Sequence, residues 1–141
     1  MMSIFFAAMV FGRYIGSRLS RIVASSRLLL VAFGITLVGF PIFWVAPVPA
    51  LNIIGLFITG LGVANLFPFT LSVAVGVAAN QSNAASARIT VGGGLAILSA
   101  PLILGWTADQ LDIYNAYGLV FILLMGATTI VAITNWAVSK K

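Results

Sequence analysis

An all-α bundle of membrane-spanning helices, four full spans plus a partial one at the N-terminus, is the fold class this sequence predicts, and three observations predict it. The first is composition. Of 141 residues, 62% are hydrophobic and 6% charged, with a mean hydropathy of +1.19, which leaves too little polar surface to solvate a globule. The second is the length of the apolar runs, four of which come close to or exceed the ~20 residues that cross a hydrocarbon core of about 30 Å. The third is the placing of charge. Arg13, Arg18, Arg21 and Arg27 fall in the first polar break, Arg88 in the third, and Lys140 and Lys141 in the tail. The second break, around Pro47, is uncharged, and the fourth holds only Asp109 and Asp112. Lys and Arg stay on the cytoplasmic side when spans insert. A multi-pass protein of the cell (inner) membrane is expected, with loops 13–27 and 79–88 and the C-terminus in the cytoplasm.

The elements follow in order. Residues 1–12 have about 18 Å of helical reach, too little to cross, yet they run straight into the Arg-rich break as the cytoplasmic end of a helix would. They are expected to be the remainder of a helix whose outer portion is missing, so that the chain is a fragment. A short interfacial or re-entrant helix in a complete small protein is the other reading. The opening run lacks a positive n-region and a small-residue cleavage site before Arg13, so it does not read as a signal peptide. The first full span is 28–46, ended by Pro47 and Pro49. The second, 51–78, is about 42 Å of helix and must tilt, kink or protrude. The third and fourth are 89–108 and 116–138, and Asp112 reads as the N-cap of the last helix. The whole is one transmembrane domain.

The net charge of +5 could suggest nucleic acid, but the arginines sit in short loops between apolar spans and read as topology signals facing anionic headgroups. No nucleic-acid partner is expected; the lipid bilayer is. The chain has no Cys and no His, which removes thiolate sites, the usual metal ligand and the usual general base. A Ser without a base is inert as a nucleophile. An enzyme is not expected, and neither metal nor cofactor.

Three segments carry more specific information. Gly12, Arg13, Gly16, Arg18 and Arg21 lie in the first break, where glycines four apart let helices approach closely. In the second span Gly60, Gly62, Asn65, Pro68, Phe69 and Ser72 stand out. Pro68 cannot donate to the Ala64 carbonyl and should kink the helix. Asn65, an amide in hydrocarbon, marks either an interhelical hydrogen bond or a substrate path, and it shares a face with Ser72. In the third span Gly92, Gly93 and Gly94, with Pro101 further on, suit close backbone packing or a flexing helix.

These segments resemble the major facilitator superfamily. Gly12 to Arg21 looks like the degenerate C-half copy of its signature loop, without the acidic residue of the better-known copy, so any gating ion pair would take its acid from elsewhere. The run from Gly60 to Ser72 is similar to the superfamily's cavity-lining tenth helix, and Gly105-Trp106-Thr107-Ala108-Asp109 to the exit of its eleventh. The resemblance covers the end of helix eight through helix twelve. It implies transport of a small solute by alternating access, two six-helix halves rocking about a midplane site. Partners so implied are the missing N-terminal half and a small-molecule substrate. Asn65, Phe69 and Ser72 are the implied cavity residues, and Phe67 with Phe69 leans toward an amphiphilic or drug-like solute. A small auxiliary subunit docking on other transmembrane helices is the alternative.

Overall fold

The computed structural model describes residues 2–140; Met1 of the opening run and Lys141 of the basic tail lie outside the described residues. Five α-helices follow one another: α1 Met2–Leu19, α2 Ser25–Val45, α3 Pro49–Val77, α4 Ser82–Leu111 and α5 Ile113–Ser139, with a 3-10 turn over Ala79–Gln81. There is no strand among the described residues. Helices α2 to α5 are long and apolar enough to cross a membrane.

Two predicted boundaries need correction. The loop expected over 13–27 is confined to 20–24, because α1 runs on to Leu19 and α2 starts at Ser25. Helix α1 is thereby about 27 Å long, not about 18 Å. The loop expected over 79–88 likewise ends at Gln81, where α4 begins. The physical reason is the same in both cases. Hydropathy falls at Arg13 and again beyond Ala78, but arginine, serine and asparagine lack proline's clash with the preceding turn, so backbone bonding continues past the apolar stretch.

Lipid tails are as apolar as leucine, so close packing and internal hydrogen bonds hold such helices together. The tightest pair is α2 with α3, an antiparallel hairpin. A Cβ built on Gly39 would lie 2.6 Å from the Thr59 nitrogen, one on Gly55 2.8 Å from Phe43 Cα, and one on Gly62 2.7 Å from the Ala32 carbonyl oxygen. Only glycine permits this approach. With its amide nitrogen turned toward the hairpin, Asn52 donates to the Phe43 and Ala46 carbonyls at 3.0 Å each, tying the connection down. Leu28, Leu29, Ala32 and Phe33 of α2 enclose Phe69 of α3 as the apolar core. Buried hydroxyls are satisfied within their own helices: Thr36 donates to Ala32 O at 2.8 Å and Thr59 to Gly55 O at 2.7 Å, so neither is stranded in hydrocarbon.

Helix α5 lies against α2 through aromatic side chains. Tyr117 meets Phe40 and Phe43 edge-on at 6.2 and 5.7 Å, and the Trp44 ring lies tilted against Tyr114 at 5.1 Å. The Trp44 Nε1 is buried there without a partner. Helix α4 packs only lightly on α3 and α5, and Thr107 is its one buried residue. Up-and-down alternation gathers Arg18, Arg21, Arg27, Arg88 and Lys140 toward one end of the bundle, with Asp109 and Asp112 at the other.

Candidate functional site

Helix α1 carries its small residues at four-residue spacing, and Ala8, Gly12 and Gly16 are its buried residues. They face α3 in order. A Cβ on Gly60 would sit 3.0 Å from Ala8 Cβ, one on Gly12 2.8 Å from Leu61 O and 3.2 Å from Ala64 Cβ, and one on Gly16 2.6 Å from Asn65 Cγ. The numbers rise together along both helices, so α1 and α3 run parallel. Asn65 is buried at this contact, and its Nδ2 donates to the Gly12 carbonyl at 2.7 Å and to Leu61 O at 3.3 Å. Of the two roles open to Asn65, the interhelical bond is formed, and the same residue also borders a cleft.

That cleft, of about 590 Å³, lies where α1 and α3 diverge above the start of α2. Arg13, Ser17, Asn65, Pro68, Phe69 and Ser72 are among its lining residues, with Ser20 and Ser25 at the turn. Ser72 and Ser25 share a hydrogen bond of 2.9 Å between hydroxyls, and Ser20 donates to Ser17 O at 2.9 Å. A second groove, of about 530 Å³, adjoins it between the start of α2 and the ends of α3 and α5. Its walls are mainly Leu29, Val73, Val77, Ile130, Val131 and Val138.

Of the candidate residues, Arg13, Asn65, Pro68, Phe69 and Ser72 are thus brought to one cleft, although Phe69 is 7% exposed and its bulk belongs to the core. Gly12, Gly16, Gly60 and Gly62 are helix contacts. Arg18 turns outward, bonded to Tyr14 Oη at 3.0 Å with its guanidinium over that ring. Arg21 lies in the turn. Helix α3 is continuous through Pro68. The glycines of α4 do not bring backbones together within this chain: a Cβ on Gly92 or Gly94 meets nothing within 4 Å, Gly93 touches only the Phe67 ring, and Pro101 is exposed. The physical reason is that α4 lies at the edge of the bundle with most of its surface free.

Ser17, Ser20 and Ser25 are lining residues that sequence reading did not single out. Ser17 follows Arg13 by one turn, the spacing that puts two side chains on one helix face. Nothing local marks Ser25, which reaches the cleft through tertiary packing. The lining groups can donate hydrogen bonds and offer one positive charge, and no group of three His, Cys, Asp or Glu occurs among the described residues. Such a site is suited to holding a polar or charged group. Comparison of the chain with protein-family models, curated proteins and solved structures found no match.

Proposed function

We propose that this chain is the C-terminal portion of a secondary transporter of the major facilitator type. It contributes a wall of the solute path for a small molecule in the cell (inner) membrane, and its Arg-rich end faces the cytoplasm. The observation that supports this is the cleft itself: Arg13, Asn65, Ser17 and Ser72 converge on one opening in an otherwise apolar bundle. Polar groups at membrane depth are costly and mark solute paths where they line a cavity. The partner in this reading is an N-terminal half that covers the free faces of α1 and α4 and supplies any coupling carboxylate.

The auxiliary-subunit reading is favoured by one feature, the exposure of α4, whose Leu98 is 71% and Leu102 74% accessible. Both readings place a protein on α4, but only transport requires the cleft to open to each side of the membrane in turn. The chain has no Cys, so a Ser72→Cys variant in native membranes can be probed with an impermeant thiol reagent. Transport predicts labelling from the Arg-rich face and also, more slowly, from the face bearing Asp109 and Asp112. Leu98→Cys should stay unlabelled from both. Labelling of Ser72→Cys from one face alone removes alternating access.

A further inference from the structure

We infer that the Arg13 cleft and the neighbouring apolar groove together bind one single-chain amphiphilic anion, such as an alkyl carboxylate, with its head at Arg13 and its tail between α3 and α5. This rests on reading the cleft as a solute path and names the class of solute.

The two cavities are contiguous. Ser25 and Ser72 line both, and their hydroxyl pair forms the boundary. On one side of that boundary Arg13 brings a cation, with Ser17 and Asn65, into a lining that also holds Phe67, Pro68 and Phe69. On the other the lining is mainly aliphatic, with Thr70, Thr134 and Asn135 among it. Each volume, about 590 and about 530 Å³, lies within the ~300–1,000 Å³ usual for a small-ligand pocket.

The hydrogen-bond inventory selects the sign of the head group. Asn65 spends its amide protons on the Gly12 and Leu61 carbonyls, and Ser20 its hydroxyl on Ser17 O. In the Ser25–Ser72 pair one hydroxyl donates and the other keeps its proton for a ligand. What remains is the Arg13 guanidinium, the Ser17 hydroxyl, that one serine proton and the Asn65 Oδ1 as an acceptor. Arg13 is the one charged group among them. Both acidic side chains, Asp109 and Asp112, lie at the opposite end of the bundle, so among the described residues no side-chain carboxylate competes for Arg13. A guanidinium with adjacent hydroxyls recognises a carboxylate through charge-assisted hydrogen bonds. A cationic amphiphile finds like charge there.

The apolar groove sets the tail. Burying each methylene strengthens binding by about fourfold, so chain length is read as strongly as charge. Gly76 lines this groove, and a Cβ added to it meets nothing within 4 Å. A large side chain at position 76 therefore enters the groove without disturbing the helix contacts.

The test uses a photoactivatable dodecanoate analogue on the protein in its native membrane, with crosslinked peptides mapped by mass spectrometry. Expected are crosslinks on the 70–78 and 130–138 stretches, competed by dodecanoate, weakly by octanoate, and not by dodecyltrimethylammonium. Gly76→Phe should abolish them, Arg13→Ala should cut them by about tenfold, the value of one charge-assisted bond, and Arg13→Lys should keep most of them. Crosslinks unaffected by Gly76→Phe overturn the inference, as does equal competition by the cationic amphiphile. Competition by phosphatidylglycerol alone also overturns it, since the occupant is then a two-chain lipid. If Gly76→Phe does not fold, the Arg13 pair and the competitors still decide. Crosslinking as expected, with thiol labelling from one face only, leaves the amphiphile site standing and discards transport.

Discussion

The contact between Gly16 and Asn65 allows a prediction with a definite sign. A methyl group on Gly16 falls 2.6 Å from Asn65 Cγ, where ordinary contact begins near 3.4 Å. The amide oxygen lies closer still, so the amide must withdraw by about 1 Å or more, which carries its 2.7 Å bond to the Gly12 carbonyl out of hydrogen-bonding range. Losing an interhelical bond in a membrane costs about 0.6 kcal/mol on average and up to about 1.7. Overpacking adds about 1–3 kcal/mol, and the better helix propensity of Ala returns about 1. Gly16→Ala alone should thus destabilise by about 1–4 kcal/mol. Asn65→Ala alone should cost about 1 kcal/mol. In the double variant the methyl occupies the space the amide has left, the overlap is gone and the propensity gain remains. Its stability should match or exceed that of Asn65→Ala, a coupling of about 1–3 kcal/mol. The assay is SDS titration of purified protein in mixed micelles, followed by far-UV circular dichroism. Additivity of the two single changes to within about 0.5 kcal/mol would mean that α1 does not dock on α3 in this register.

Three further outcomes follow from other contacts. Gly62→Ala should destabilise by about 1–2 kcal/mol because its methyl meets the backbone of α2, whereas Gly34→Ala, with nothing within 4 Å, should be neutral or stabilise by up to about 1; equal values in the same titration would contradict the α2–α3 crossing. Asp112 caps α5 by accepting from the Ile113 amide at 2.8 Å, at a φ of 93°. Asp112→Asn should therefore be nearly silent, Asp112→Gly small because glycine tolerates that φ, and Asp112→Ala the worst at about 1–2 kcal/mol, with amide exchange at Ile113 as a local readout. Trp44→Phe removes an unpartnered buried N–H worth about 1–3 kcal/mol, which offsets lost contact area and leaves stability nearly unchanged, while Trp44→Ala should cost about 3–5. A large loss in Trp44→Phe would show that Nε1 has a partner in the membrane.

Much of the helical layout is legible in hydropathy, because each apolar run must form its own backbone bonds in lipid. Helix ends are not, since hydropathy tracks surroundings and helices end where hydrogen bonding ends. Arg13 and Ser17 are polar yet helical for that reason. The four-residue spacing of Gly12 and Gly16 announces a close helix contact, but not that the partner is α3. That pairing joins residues far apart in sequence, and no local pattern encodes it. Asn65 poses the same difficulty: its residue type says that a partner must exist, and only the packing supplies Gly12. The glycines of α4 show the reverse limit. Their pattern suggests close packing, while the helix they belong to has most of its surface uncovered within this chain.

The parallel pairing of α1 with α3 also bears on how the chain assembles during synthesis. The Asn65–Gly12 bond spans 53 residues, and at about 5–20 residues per second Asn65 emerges roughly 3–10 s after the glycine it binds. A helix of this length forms in about a microsecond. Nascent α1 must therefore wait for α3 with its glycine groove unfilled by it and Arg13 without the neighbours it will later have, until the α2–α3 hairpin arrives. Slow translation between α1 and α3 would prolong the interval in which the α1 groove lacks the helix it is shaped to meet.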